Sequence, residues 1–370
     1  MKKRDPKVEL MRIIACAIVI GAHTYLSPIV NERADIGRVF ITCLCADGVA
    51  VFWFINGFFL FRKTDYGALL LHTAKNILLP LLCVTLFAFY FGDWLMKGEP
   101  LISSLSHPLS DYRDLFNGIL SWNNVVADLG HLWYLYVYAL VMFFFPVLKA
   151  FVDYLEKDTN REKIFLILSS LFLLINDISG NRFASFSHHT INALIPAAIE
   201  IIWGHIIYKY KNYFCNQKYI GISIVGFLGL NMIRLFIQMR NYNVDLSNKT
   251  ILYWYTLIGI LCALCVVIFC LSTGLKTANN TVINKLICKL ASYTYTIYLI
   301  HPIVKNVIAK HGGMNLLQKI ILNDSHGIVR EIVYTAIIII IVFAISLILS
   351  IFLKSIYQLL KKCWMHRRLI

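Results

Sequence analysis

Apolar residues run through this chain in blocks of about 20, each closed by a short stretch of charged or turn-forming residues, and that block length matches the thickness of a bilayer. The pattern predicts about ten membrane-spanning helices. The first starts at Val8, and the others cover 39–61, 74–96, 131–152, 163–180, 189–209, 219–239, 251–273, 289–309 and 329–354. The first run follows the basic head KKRDPK and predicts a span rather than a secretory signal peptide, because it is long enough to cross and no small-residue cleavage site follows. The expected fold is all-α, a polytopic membrane protein forming one transmembrane domain over 1–370 with no separate soluble domain. The longest interruption, 97–130, contains Trp122 and reads as an external loop, either a lid or acceptor-binding segment or a plain solvated connection.

Composition agrees with this class. Of 370 residues, 59% are hydrophobic and 15% charged, and the mean hydropathy of +0.68 excludes an ordinary soluble domain. The net charge of +15 raises the question of nucleic acid, but no basic patch with interleaved aromatics stands out, so a nucleic-acid partner is rejected. The lipid bilayer is the expected partner. Counted over alternate connections from a cytosolic N terminus, 22 Lys and Arg fall on the cytosolic side and 11 on the outer side. Such a bias predicts that both termini are cytosolic. The ten cysteines are scattered, mostly in apolar runs, and neither the Cys262/Cys265 pair nor His188 with His189 has the partners of a metal site.

The first helix carries an exception to the apolar rule. Arg12 and His23 bracket ten uncharged residues, RIIACAIVIGAH. Eleven steps of about 100° return to nearly the same face, and the rise separates the two side chains by roughly 16 Å. Ionisable groups within a span are costly in hydrocarbon, so they are expected to face a protein interior or a watery cavity. The bland alternative is a snorkelling arginine and a histidine bonded to a neighbouring helix. A neutral imidazole suits a general base for a hydroxyl, and a fixed guanidinium suits phosphate or a carbonyl oxygen.

Four further stretches resemble, in order, motifs of the acyltransferase-3 family, integral membrane O-acyltransferases of bacterial surface glycans. They are GVAVFWFINGFFLF (48–61), NILLP (76–80), HLWYLYVYALVMFFFPVL (131–148) and SYTYTIYLIHPIV (292–304), and they follow the Arg-x10-His pair. The resemblance implies helices around a central cavity in the bacterial cytoplasmic membrane. It also implies no tightly bound cofactor, acetyl-CoA or another acyl-CoA as cytosolic co-substrate, and a glycan or glycolipid hydroxyl as acceptor. His23 is then the catalytic residue and Arg12 serves donor binding or transfer. Two positions depart from the family pattern: Asn56 stands where a serine is common, and Thr73 and Asn76 stand where arginines are common. Arg62, Lys63 and Lys75 are left as the local cations for the donor.

Other intramembrane polar residues follow from the same argument. Asp47 is expected to orient His23 in a carboxylate–imidazole pair, or else to cap a helix or bond a neighbouring one. Glu200 is expected to face the cavity, paired with Arg12 or serving the donor, and Arg234 to snorkel near the outer interface. His131, Trp133 and Tyr134 open a helix at the outer face, as an interfacial belt or a sugar-stacking platform. Ser292, Tyr298 and His301 are further acceptor candidates, and Pro302, lacking an N–H, is expected to loosen its helix and expose a carbonyl. The chief rival function is a multi-spanning exporter of a glycan or glycolipid; a structural or sensor protein would need no buried histidine.

Overall fold

The computed structural model describes residues 4–120, 129–179, 189–275, 281–322 and 327–367. Trp122, Arg182 and His188 lie outside them. The chain opens with α1 (Pro6–Thr24), where the Asp5 side chain accepts from the Lys7 N–H and Pro6 occupies the first turn, where a missing donor is harmless. A small hairpin of β1 (Ile29–Val30) and β2 (Arg33–Ala34) turns at Asn31 and Glu32, whose φ values of 48° and 60° fit a two-residue turn with both centres left-handed.

The next helices are α2 (Ile36–Leu44), α3 (Gly48–Leu60), α4 (Tyr66–Thr73), α5 (Leu79–Gly92), α6 (Leu101–Leu105) and α7 (Leu109–Leu120). A π-helical turn, Ala74–Leu78, joins α4 to α5 just before Pro80, and a second, Asp93–Lys97, follows α5. The described part of 97–130 is thus largely helical, contrary to the expected loop, with His107 stacked on Phe89 at 4.0 Å between centroids. Then come α8 (Trp133–Phe143), α9 (Phe145–Leu155), α10 (Thr159–Ile178), α11 (His189–Lys209), α12 (Lys211–Phe214) and α13 (Lys218–Val244). The chain closes with α14 (Leu257–Ser272), α15 (Val282–Ala291), α16 (Thr294–Lys310), α17 (Gly313–Leu322) and α18 (Ile328–Arg367).

Among the described residues five helices are long and apolar enough to cross a membrane: Ile36–Leu60, Tyr66–Lys97, Lys218–Val244, Thr250–Ser272 and Ile328–Ile356. Gly130–Phe143 and Phe145–Leu155, bent by 67°, make a sixth if they are one broken span. The expected span 131–152 is therefore broken at Phe144, just before Pro146, which cannot donate to a continuing helix. The structure is a multi-pass helical protein, but among the described residues its long apolar helices are fewer than the ten or so expected from block length. For two of the others the reason lies in polar content, since α1 carries Lys7, Glu9 and Arg12 and α10 opens on Arg161, Glu162 and Lys163, whereas α16 is short, at 17 residues.

Two helices organise the bundle. α1 packs against α3, α14, α15, α16 and α18, and α3 packs against α1, α11 and α14. The α3–α11 crossing is glycine on glycine. A Cβ at Gly57 would stand 2.0 Å from the Ile201 carbonyl oxygen, and one at Gly204 would stand 2.3 Å from that of Phe54. Only a residue without a side chain allows the two backbones to come this close.

Candidate active site

His23 lies in the last turn of α1 and keeps its ring exposed, with two other imidazoles beside it. The His131 centroid is 5.6 Å away and that of His301 5.5 Å, and those two rings are 4.9 Å from each other. His131 is 6% exposed and His301 fully buried, so only His23 meets the outside. Three helices thus deliver one cluster: α1, the turn opening α8, and α16.

The cluster is built on a carbonyl released by a proline. In an unbroken helix the N–H of residue 302 would bond to the carbonyl of residue 298, but Pro302 has none. The Tyr298 carbonyl instead accepts from His131 Nε2 at 3.2 Å and from His301 Nδ1 at 2.9 Å. The Tyr298 hydroxyl returns a bond of 2.5 Å to the His131 carbonyl. Because a carbonyl oxygen only accepts, both nitrogens facing it carry hydrogen, which fixes the tautomers of the neutral rings. His131 Nδ1 and His301 Nε2 are then bare lone pairs, both buried and without a partner among the described residues.

Arg12, nearer the start of α1, lines two cavities. The larger, about 720 Å³, is bounded by Arg12, Asn56, Arg62, Lys63, His72 and Tyr138, among others. The smaller, about 170 Å³, is bounded by Arg12, Asn56, Tyr138, Tyr134, Tyr295 and Tyr298. Arg12, Asn56 and Tyr138 are common to both, so the cavities adjoin, and the lining of the smaller one includes Tyr298, the residue that holds two of the imidazoles. Asn56 donates to the Tyr134 hydroxyl at 3.0 Å, and the Tyr295 hydroxyl donates to the carbonyl of Ile77, in the π-helical turn, at 3.1 Å. Arg62 stacks over Tyr208 at 4.6 Å, which holds its guanidinium at the cavity mouth.

Several expected placements are corrected. Asp47 does not pair with an imidazole: its two carboxylate oxygens accept from Arg234 Nη1 and Nη2 at 2.7 and 2.9 Å, just ahead of α3. Arg234 accordingly does not snorkel; it is fully buried and also donates to the Cys43 carbonyl at 3.1 Å. Arg12 pairs with Glu9 at 2.7 Å, not with Glu200. Glu200 is fully buried, lines neither cavity, and has no hydrogen-bond partner on either carboxylate oxygen among the described residues. Lys75 is exposed on the π-helical turn, outside both linings. Ser292 closes the turn between α15 and α16 by donating to the Lys289 carbonyl at 2.7 Å, about two and a half turns from His301. Trp133 stacks on Trp254 at 5.4 Å, and among the described residues it lines neither cavity.

The structure does bring together Arg12, Arg62 and Lys63 at one cavity and Tyr134 and Tyr298 at the next, while His131 and His301 stand beside Tyr298 and His23 stands beside those two imidazoles. Sequence reasoning missed Glu9, Tyr138 and His72. The first two were findable, since Glu9 lies three residues before Arg12 and Tyr138 four after Tyr134, both same-face spacings.

No curated protein and no solved structure shows a match to this chain. The family comparison does: residues 5–351 match the model described as an acyltransferase domain, Acyl_transf_3. The match takes in α1 to most of α18, so the cavities and the imidazole cluster both fall inside it. This chain therefore belongs to the acyltransferase-3 family and is a membrane acyltransferase.

Proposed function

We propose that the protein moves an acyl group, an acetyl in the simplest case, from cytosolic acyl-CoA to a hydroxyl of a cell-surface polysaccharide or lipid-linked glycan, working in the bacterial cytoplasmic membrane. The donor's phosphates meet Arg12, Arg62 and Lys63 in the larger cavity, where fixed positive charge suits them. Its narrow pantetheine arm passes Asn56 and Tyr138 into the smaller cavity. The acceptor arrives from the opposite end, where His23 is exposed.

His23 takes the proton of the acceptor hydroxyl as its oxygen attacks the thioester carbon; the C–O bond forms, the C–S bond breaks, and the thiolate leaves with a proton returned by the imidazolium. His131 Nδ1 and His301 Nε2 are lone pairs suited to holding an acceptor hydroxyl or a ring N–H of His23 in place. The observation that carries this reading is the shared wall: Arg12 lines both cavities, and the second is also lined by Tyr298, whose carbonyl holds two of the imidazoles.

Replacing His23 with alanine and measuring both glycan acylation and glycan export tests it. Acylation should fall by about 10²- to 10⁴-fold, the contribution of a positioned base, with export intact. Lost export with unchanged acylation would overturn the proposal in favour of the exporter.

A further inference from the structure

A third cavity, of about 240 Å³, lies where the C-terminal parts of α10 and α13 meet the segment leading into α14. Asp177, Asn241, Asn248, Thr250 and Thr256 supply most of its lining. It sits at the His23 end of the bundle: Tyr242 and Leu252, next to lining residues, pack in one apolar cluster with Val39 and with Ile29 and Ala34 of the hairpin that follows α1.

The lining chemistry selects among ligands. None of its residues is cationic, which disfavours phosphate or a nucleotide, and Asp177 is its one carboxylate, too few for a divalent cation. Amides and hydroxyls outnumber aliphatic side chains, which disfavours an acyl tail. Asp177 is half engaged: one oxygen accepts the Leu257 N–H at 2.8 Å, while the other is buried and has no partner among the described residues. A buried carboxylate oxygen without a donor is costly, and a hydroxyl is the donor that repairs it. Between lining residues Ile251 and Thr256 the chain carries Tyr253 and Tyr255, stacked at 5.1 Å with 12° between planes, and Tyr253 is 43% exposed. A cleft lined by a carboxylate, amides and hydroxyls, with a stacked tyrosine pair on the segment that borders it, suits a pyranose ring.

We propose that this cleft is a sugar subsite that holds one ring of the acceptor glycan, away from the ring being acylated; this rests on the glycan-acceptor reading above. A stacked tryptophan pair links the two places along the chain. Trp133, two positions after His131, stacks on Trp254, and Thr256 two positions further lines the cleft. A multi-ring acceptor is then held by one ring at Asp177 while another offers its hydroxyl to His23.

The test is saturation-transfer NMR on the full chain in nanodiscs, free of glycosidic detergent, with glucose, galactose, mannose, rhamnose and N-acetylglucosamine as probes. At least one sugar should receive saturation from the protein. Asp177→Asn and Asn241→Leu should each weaken its binding about tenfold or more, as loss of a hydrogen bond to a charged group or blockage of the cleft requires. Gly67→Ala, at a position that lines none of the three cavities, should bind like the parent. No saturation of any sugar, or parent-like affinity in both cleft variants, overturns the subsite. If Asp177→Asn melts early, Asn241→Leu alone decides. Sugar binding in a protein that never acylates a glycan would sink the enzymatic reading and uphold the subsite.

Discussion

Pro302 stands one helical turn beyond Tyr298, and its missing N–H is what leaves the Tyr298 carbonyl to hold His131 at 3.2 Å and His301 at 2.9 Å. Pro302→Ala restores a competing backbone donor to that carbonyl. The variant should melt at or above the parent temperature, since a helix-interior proline is removed. Its rate of acyl transfer should nevertheless fall about tenfold or more, because displaced imidazoles lose their fixed tautomers. Melting and turnover measured side by side check this, and an unchanged rate would show that the proline merely kinks the helix.

The Asp47–Arg234 pair makes the opposite prediction, a loss of stability. Removing one partner of a buried pair leaves an uncompensated charge and costs about 3–5 kcal/mol, so Asp47→Leu and Arg234→Met should each melt well below the parent. The double variant should recover much of the loss. A parent-like double variant that has lost acylation while keeping its fold would instead give Asp47 a direct part in the reaction.

This pair marks the limit of what the sequence made legible. Block length and the positive-inside count foresaw a helical membrane protein, and the Arg12–His23 spacing foresaw two polar groups on one helix. Which buried acid meets which buried base was not readable, because Asp47 and Arg234 are 187 positions apart and are joined only by how α13 lies beside α2. The three histidines were each singled out, yet as separate features of three helices. His23 and His131 were both placed near the outer face, and that shared depth was the available sign that they converge. The break after Phe143 was missed because apolar composition continues straight through it, and the one after Leu44 because Asp47 and Gly48 were read as lying inside one span.

Arg62 and Lys63 line the larger cavity without approaching the imidazoles. Arg62→Met and Lys63→Met should therefore each raise KM for acyl-CoA about 10- to 100-fold, the worth of a charge-assisted contact, with kcat nearly unchanged. An acyl-pantetheine lacking the nucleotide phosphates should be turned over equally by parent and variants. Equal losses with both donors would move the phosphate site elsewhere.

At the α3–α11 crossing a methyl group is already too large. Gly57→Ala places carbon 2.0 Å from the Ile201 carbonyl oxygen, so the helices must part. Overpacking of this kind costs roughly 1–3 kcal/mol, and the melting temperature should drop accordingly. Gly67→Ala, whose nearest neighbour would be an Asp65 oxygen at 3.5 Å, is the matched control and should melt like the parent.

The position of α1 bears on how the molecule is made. It leaves the ribosome well before four of its neighbours, α14, α15, α16 and α18. While it waits in the translocon and then the lipid, Glu9 is the one partner Arg12 already has, three residues away on the same helix. That neighbour offsets the guanidinium's charge during the interval, so the nascent helix can integrate early and receive the rest of its chemistry only when the C-terminal helices arrive.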